Sequence, residues 1–372
     1  SYATILFVLT ALGQTNLSSS YFQIVTARAL GPSTMSGRIT AIEGIVTSDQ
    51  LNLYVGTAGG GIWKSQNGGV SFSPVFDKYN QSIGAIAIDK TNPRTVYVGT
   101  GESNMRNSVS IGDGLFKTTD GGSNWQKIGL DSTEHISKII IDPNDSKILY
   151  VAAPGPLWSA STHRGLYKST DAGKTWKKAL YVNDETGCAD IAIHPTNPKI
   201  IIASFWQFRR KPFAFESGGP GSAMFKSTDG GETWTKISKG LPEGNLGRIV
   251  LSINPSKPAE VLAIVEAKVP GLYLSKDEAN SWEKLAATEN ITARPFYFST
   301  LVFDPKDPKR VYRPAFDFAY SKDGGYSWSN TIIGGVAPHA DHHALWINPA
   351  NTDQMYLGTD GGVYISQNKG VS

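Results

Sequence analysis

One eight-residue segment recurs seven times along this chain and restricts the fold more than any other feature. Each copy reads Ser or Thr, any residue, Asp or Asn, any residue, usually Gly, two variable residues and, in six copies, an aromatic residue. The third positions of successive copies lie 45 to 58 residues apart, which is the length of one propeller blade. The octets begin at Ser65, Thr118, Ser169, Ser227, Ser275, Ser321 and Ser366.

A second motif lies between the octets. An apolar segment ends at Asp-Pro, Asn-Pro or His-Pro, and another apolar segment follows, as in Ile140-Ile-Asp-Pro143 before Ile148-Leu-Tyr-Val151. Each repeat therefore predicts four short antiparallel strands, A to D, with the Asx-Pro turn between A and B and the octet between C and D. A four-stranded sheet cannot bury both faces alone, so several must stack around an axis. The sequence predicts an all-β protein, a β-propeller with about seven four-stranded blades.

The octets have a structural explanation. The Asp or Asn side chain can cap backbone N–H groups of the turn, glycine permits positive φ, and the aromatic residue can pack between neighbouring sheets. Each copy has at most one carboxylate, whereas a calcium loop needs several converging oxygens. We therefore predict turns rather than calcium sites, and no cofactor.

The chain divides into three segments. Residues 1–13 have a short apolar core ending in Ala11-Leu12-Gly13, which predicts the remnant of a secretory signal peptide, with a first apolar strand as the alternative. Residues 14–36 include a strand-like stretch, 21–30, that could close the ring, and 37–372 form the propeller with an incomplete seventh repeat. The alternatives to this closure are a ten-bladed ring or a tandem propeller.

Charge and composition exclude several function classes. The formal net charge is +3 without any block of like charges, so no nucleic-acid partner is predicted. No apolar run reaches the roughly 18 residues that a membrane-spanning helix needs. Cys188 is the single cysteine, which excludes an internal disulfide framework.

The long irregular segments all fall on one predicted face. With antiparallel strands, the Asx-Pro turns and octets share one face, and the B–C and D–A loops share the other. We call the second the loop-rich face; irregular loops on a rigid scaffold are where binding residues concentrate. Its largest insertions are 99–114, 152–165, 204–223, 285–299 and 329–343.

Within these loops, His339-Ala-Asp-His-His343 is the richest in chemistry-bearing side chains. Imidazole and carboxylate groups are ordinary zinc ligands, but the spacing does not aim them at one point, so we predict ligand contacts and assign no metal site. Aromatic residues beside arginine elsewhere suit stacking on sugars and pairing with carboxylates. The candidate ligand-binding residues are Glu102, Arg106, Asn107, His135, Trp158, Arg209, Arg210, Arg294, Tyr297, His339, Asp341 and His342.

The octets resemble those of Asp-box, or bacterial neuraminidase repeat, propellers. Several loop stretches, among them Gly99-Thr-Gly-Glu102 and Ser217-Gly-Gly-Pro-Gly221, resemble secreted bacterial proteins of the sortilin-like group, which are often labelled glycosyl hydrolases. Sortilin-type domains have ten blades and bind peptides or proteins. The resemblance thus implies an extracytoplasmic protein with a peptide, protein or carbohydrate ligand.

The octets are also shared with tandem-propeller xyloglucanases, which place a catalytic Asp in a Thr-Asp-x-Gly-Gly stretch of the first blade. Here the matching stretch is Gly56-Thr-Ala-Gly-Gly60, with Ala58 in the position of the acid. A related stretch, Gly358-Thr-Asp-Gly-Gly-Val-Tyr364, supplies Asp360 in the seventh repeat. Glycoside hydrolysis needs two carboxyl groups, and the candidates are Glu102, Asp341 and Asp360.

Three functions follow. The first is a secreted, noncatalytic propeller that binds a peptide, protein or glycan on the loop-rich face, as the missing acid at Ala58 suggests. The second is a glycoside hydrolase, xyloglucanase-like or sialidase-like, acting on an extracellular polysaccharide. The third is a structural surface scaffold.

Overall fold

The computed structural model describes residues 37–48, 50–107, 109–285, 294–297, 300–330 and 338–371. Within them, the strands form seven antiparallel sheets that follow one another along the chain. The predicted all-β propeller with four-stranded blades is therefore confirmed. The expected signal segment and the strand-like stretch 21–30 lie outside the described residues.

The first three blades each have four strands in sequential order. Blade 1 contains β1 (Ile39–Val46), β2 (Leu51–Thr57), β3 (Ile62–Ser65) and β4 (Ser73–Pro74). Blade 2 contains β5 (Ile83–Ile88), β6 (Val96–Thr100), β7 (Leu115–Thr118) and β8 (Gln126–Lys127), followed by a 3-10 turn (Asp131–Thr133). Blade 3 contains β9 (Lys138–Ile141), β10 (Leu149–Ala153), β11 (Gly165–Ser169) and β12 (Lys177–Leu180).

The fourth blade has a fifth strand, because its second strand continues beyond the sheet and pairs with β15 in a hairpin. Blade 4 contains β13 (Thr186–Ile193), β14 (Ile201–Lys211), β15 (Ala214–Ser217), β16 (Ala223–Ser227) and β17 (Thr235–Ile237). Blade 5 contains β18 (Ile249–Ile253), β19 (Val261–Val265), β20 (Gly271–Ser275) and β21 (Glu283–Lys284).

The last two blades complete the ring. Blade 6 contains β22 (Val302–Phe303), β23 (Val311–Pro314), β24 (Phe318–Ser321) and β25 (Ser329–Asn330). Blade 7 shows three strands in the described residues, β26 (His342–Ile347), β27 (Met355–Thr359) and β28 (Gly362–Ser366).

Neighbouring blades are held together by apolar side chains on both faces of each sheet. In β19, Val261 and Ala263 pack toward blade 4, whereas Leu262 packs toward blade 6. Because strand side chains alternate between faces and both faces are buried, the second strands are almost continuously apolar. Blade 7 packs directly on blade 1, with Trp346 in one cluster with Ile39. The ring of seven blades is thus closed within the described residues.

The octets form the predicted turns. In blade 4, the Ser227 hydroxyl donates to Asp229 Oδ1 over 2.7 Å, the Gly231 N–H donates to Ser227, and the Thr233 N–H donates to Asp229. The Asx-Pro turns are built similarly, since the Asp142 carboxylate accepts from two backbone N–H groups that follow it. These hydrogen bonds are local, and the octet carboxylates accept them within their own turns.

The innermost strands surround an axial cavity of about 680 Å³ that reaches toward the Asx-Pro turns. Its wall comes from the first strand of every blade and combines isoleucines with prolines of the turns and charged side chains such as Glu43 and Lys138. The first strands begin, and the second strands end, at the opposite, loop-rich face. Side chains at those strand ends meet near the axis and form the candidate site.

Candidate functional site

The site is organised around Arg38, which directly precedes β1. Its guanidinium forms a two-pronged ion pair with Glu102, through Nε to Oε1 and through Nη2 to Oε2, the latter over 3.0 Å. Glu102 is 1% exposed. Burial alone would lower the pKa of Arg38, but the hydrogen bonds and charge of Glu102 outweigh it and raise that pKa. Glu102 is therefore a fixed countercharge rather than a free acid.

Arg38 also connects Glu102 to Asp360. Its Nη1 lies 3.5 Å from Asp360 Oδ1, and His343 Nε2 lies 2.8 Å from the same oxygen. Burial opposes ionisation of Asp360, but the hydrogen bond from His343 and the charge of Arg38 outweigh this and lower the pKa of the carboxyl group. Asp360 is held ionised while its side chain keeps 26% exposure.

Asp341 lies beside Asp360, and its carbonyl oxygen accepts the Asp360 backbone N–H over 3.0 Å. Burial, followed by repulsion from the Asp360 charge, raises the pKa of Asp341. The two carboxyl groups therefore have opposite pKa shifts, one toward the ionised form and one toward the protonated form. Base and acid pairs in enzymes have shifts that diverge in this way.

Tyr297 covers this cluster from the loop between blades 5 and 6. Its hydroxyl accepts a hydrogen bond from Arg38 Nη1 over 3.1 Å, and its ring meets His343 edge-on at 5.0 Å. Burial raises the pKa of the Tyr297 hydroxyl. The Arg294 guanidinium lies 5.2 Å from the Tyr297 ring centre, so the predicted residues Arg294 and Tyr297 both adjoin the centre.

The remaining predicted side chains of blades 2 to 4 form a second group. Arg210 donates to the Asn107 side chain over 2.9 Å and to the Arg106 carbonyl over 3.3 Å. Arg209 donates to the Trp158 carbonyl over 3.2 Å. The structure therefore brings Arg106, Asn107 and Trp158, from two loops, next to Arg209 and Arg210 of the extended strand β14.

The predicted histidines have different positions. His135 and His342 are buried, and burial lowers the pKa of each to about 4, so both are neutral interior groups. Neither has surface available for a ligand in this structure. His339 is exposed, and its Nδ1 lies 2.8 Å from the Ala340 carbonyl.

Sequence reasoning missed Arg38 and His343, although both contact Asp360. His343 belongs to the predicted histidine-rich loop, but the side chain that reaches the site depends on a β-bulge between His342 and Ala344. Bulges re-aim side chains next to active sites. Arg38 had no local signal, because its partners lie 64 and 322 positions away.

Within the described residues, no group of three or more His, Cys, Asp or Glu side chains has the arrangement of a metal site. In the part of the chain that the structure describes, no helix is long and apolar enough to cross a bilayer.

Comparison with known proteins identifies similar families. The Sortilin-Vps10 family model, described as "Sortilin, neurotensin receptor 3", matches residues 60–192 and 113–239. Curated relatives include a xyloglucanase from Paenibacillus sp., 25% identical over 77% of this chain and 31% of its own length. Xyloglucanase Xgh74A from Acetivibrio thermocellus is 26% identical over 72% of this chain and 34% of its own length. The chain spans about a third of the length of these relatives.

Solved structures show the same fold. The GH74 xyloglucanase from Xanthomonas campestris superposes with a TM-score of 0.65 at 16% identity, covering 91% of this chain and 53% of the other. YCF48 from Cyanidioschyzon merolae superposes with a TM-score of 0.57 at 13% identity, covering 91% of this chain and 97% of the other. At these identities the likeness concerns the propeller architecture.

Proposed function

We propose that this chain acts on a polysaccharide as a glycoside hydrolase, with its reaction centre at Asp341 and Asp360 on the loop-rich face. The observation that carries the proposal is geometric: Asp341 and Asp360 are joined by a backbone hydrogen bond on the loop-rich face, with Arg38 and His343 in contact with Asp360. The opposite pKa shifts of the two carboxyl groups agree with it. Glycoside hydrolysis uses one protonated and one ionised carboxyl group beside the scissile bond. The similarity to xyloglucanases supports the same reaction class.

The roles follow from the surroundings of each carboxyl group. Asp341 donates its proton to the glycosidic oxygen as the bond from that oxygen to the anomeric carbon breaks. Asp360, kept ionised by Arg38 and His343, stabilises the positive charge that develops on the sugar ring. Water then supplies the hydroxyl group at the anomeric carbon and the proton that restores Asp341.

In this proposal, Asp360 takes the role of the acid whose expected position in blade 1 is occupied by Ala58. Ala58 and Asp360 both directly follow a Gly-Thr pair at the end of a second strand, β2 and β27 respectively. Blades 1 and 7 are neighbours, and the Ala58 N–H donates to the Arg38 carbonyl. The acid expected in blade 1 is, in this proposal, supplied by the adjacent blade.

The test is release of reducing sugar from xyloglucan and a panel of other polysaccharides by the wild type, Asp341→Asn and Asp360→Asn. We expect either substitution to lower kcat by about 10²- to 10⁴-fold. The matched control, Asp353→Asn, changes an exposed carboxylate in the first-to-second-strand turn of the same blade and should retain activity. Full activity of Asp360→Asn would contradict the assignment.

The pH dependence gives a second readout. Activity should rise with pH as Asp360 ionises, through a pKa below the ordinary value near 3.8, and fall as Asp341 loses its proton, through a pKa above that value. The residual activity of Asp341→Asn should lack the falling limb.

A binding protein without hydrolytic activity is the second candidate. It is supported by the complete pairing of Glu102 with Arg38 and by the match to the sortilin family model. Under this alternative, a peptide, protein or glycan binds the loop-rich face, Asp360→Asn leaves the affinity intact, and the wild type releases no sugar. Either function suits a secreted protein. A structural scaffold would show neither sugar release nor ligand binding.

A further inference from the structure

The fourth blade carries an unusual projection beside the candidate site. Strand β14 runs past its sheet and turns back as β15 around residues 212–213. Phe213 at the tip is 87% exposed, and Trp158 in the neighbouring loop is 52% exposed. Together with Arg106, Arg209 and Arg210, these two side chains form what we call the arginine–aromatic patch.

Two arginines of the patch lack a carboxylate partner. Among the described residues, neither Arg106 nor Arg210 forms an ion pair within 4.0 Å. Two acidic side chains near the hairpin form ion pairs with other basic residues. Glu185 lies 3.5 Å from Arg209, and Glu216 pairs with Lys211 in the same hairpin. Within the residues that the structure describes, the patch thus presents two positive charges without an acidic partner.

The Arg210 side chain is also held in place. Its guanidinium lies 4.8 Å from the centre of the Phe215 ring, and its N–H groups donate to Arg106 and Asn107. Phe215 in turn contacts a stacked pair of rings, Trp206 and Phe208, whose centres are 4.2 Å apart. A cation fixed by aromatic packing loses little rotamer entropy on binding an anion.

The patch is connected to the reaction centre through aromatic side chains, because Arg210 packs on Phe215. Phe215 lies 5.2 Å from Phe296, the residue before Tyr297, and the Tyr297 hydroxyl accepts from Arg38. A polymer crossing the loop-rich face could therefore contact Asp360 and the patch at once.

We propose that the arginine–aromatic patch binds uronate units, so that the polysaccharide acted on carries carboxylate groups. A guanidinium pairs with a carboxylate through two parallel hydrogen bonds, and exposed aromatic rings stack on the apolar faces of sugars. This inference rests on the proposed function for the polymer, and it adds the chemical class of its sugars.

The experiment compares two forms of one polymer, polygalacturonate and its fully methyl-esterified form, by affinity gel electrophoresis of the intact chain. We expect binding to polygalacturonate to be tighter by about tenfold or more, equivalent to about 1.4 kcal/mol, and to weaken as salt is raised. The double variant Arg106→Gln/Arg210→Gln should lose the preference, whereas Arg94→Gln, an exposed arginine among the turns of the opposite face, should keep it. Thermal melting checks that each variant is folded.

The outcomes separate this inference from the proposed function. Preferential binding of polygalacturonate without sugar release supports uronate binding by the patch and contradicts the proposed hydrolase activity. Sugar release from xyloglucan, with equal affinity for polygalacturonate and its methyl-esterified form, contradicts uronate binding by the patch and supports the hydrolase activity. Binding of a peptide with a free carboxyl terminus, with no affinity for polygalacturonate, overturns the uronate proposal. Trp158→Ala should weaken binding to both forms of the polymer, and unchanged affinity would contradict stacking on this ring.

Discussion

At the scale of single residues, the polar side chains of this chain fall into two groups that the sequence alone distinguishes only in part. Octet carboxylates accept hydrogen bonds from their own turn, and those bonds lower the pKa of Asp171 to about 2. Site carboxylates such as Asp360 are instead stabilised by residues of other repeats. Recurrence along the chain separates the two groups, because only a structural role needs an Asp or Asn at the same place in every blade.

Loss of an octet carboxylate should therefore affect stability and not function. Asp323 accepts from the Ser321 hydroxyl and the Ser327 N–H. We expect Asp323→Ala to lower the free energy of unfolding by about 1 kcal/mol, as for other lost side-chain caps. Asp323→Asn is the matched control, since Asn67 and Asn368 already occupy this position. Denaturant unfolding measures both, and equal losses would refute the capping role.

At the scale of elements, a recurring irregularity positions the site. Four first strands, β1, β5, β13 and β26, carry a bulge where they leave the loop-rich face. In β26 the extra residue is His343, which the bulge turns toward Asp360. In β5 the extra residue is Gly84, which lies close to the carbonyl oxygen of Ile136 in the loop before blade 3. Neither bulge is visible in the hydrophobic pattern, because that pattern reports only which face of a strand is buried.

Gly84 gives an element-scale prediction. A Cβ atom there would lie 2.0 Å from the Ile136 carbonyl oxygen and 2.4 Å from that of Gly101. Since both neighbours are backbone atoms, we expect Gly84→Ala to cost about 3 kcal/mol or more. Gly59→Ala meets nothing within 4 Å and should cost much less. Chemical denaturation of both variants compares them directly, and similar midpoints would show that the strand can shift.

At the scale of the whole molecule, the junction between blades 7 and 1 repeats the contact used elsewhere in the ring. The Tyr150 hydroxyl of blade 3 donates to the Gly230 carbonyl in the octet of blade 4 over 2.8 Å. The Tyr356 hydroxyl of blade 7 donates to the Gly68 carbonyl in the octet of blade 1 over the same distance. The last blade thus contacts the first as any blade contacts its successor.

This equivalence can be measured. If blades 7 and 1 are neighbours in solution, Tyr356→Phe and Tyr150→Phe should each destabilise the protein by about 1 kcal/mol, because each removes one partly buried hydrogen bond. Unchanged stability of Tyr356→Phe, beside a lowered midpoint of thermal unfolding for Tyr150→Phe, would contradict the contact between Tyr356 and Gly68.

The sequence by itself determined the blade architecture, the role of the octets and the face on which the loops gather. These depend on local periodicity and turn chemistry, and they recur often enough to be recognised in one chain. It also indicated Asp341, Asp360, Tyr297 and the arginines as candidates. Only the tertiary structure decided that Glu102 is neutralised by Arg38, that His343 reaches Asp360, and that His135 and His342 are buried. Those outcomes depend on contacts between blades far apart in sequence, where burial and neighbouring charge set the state of each group.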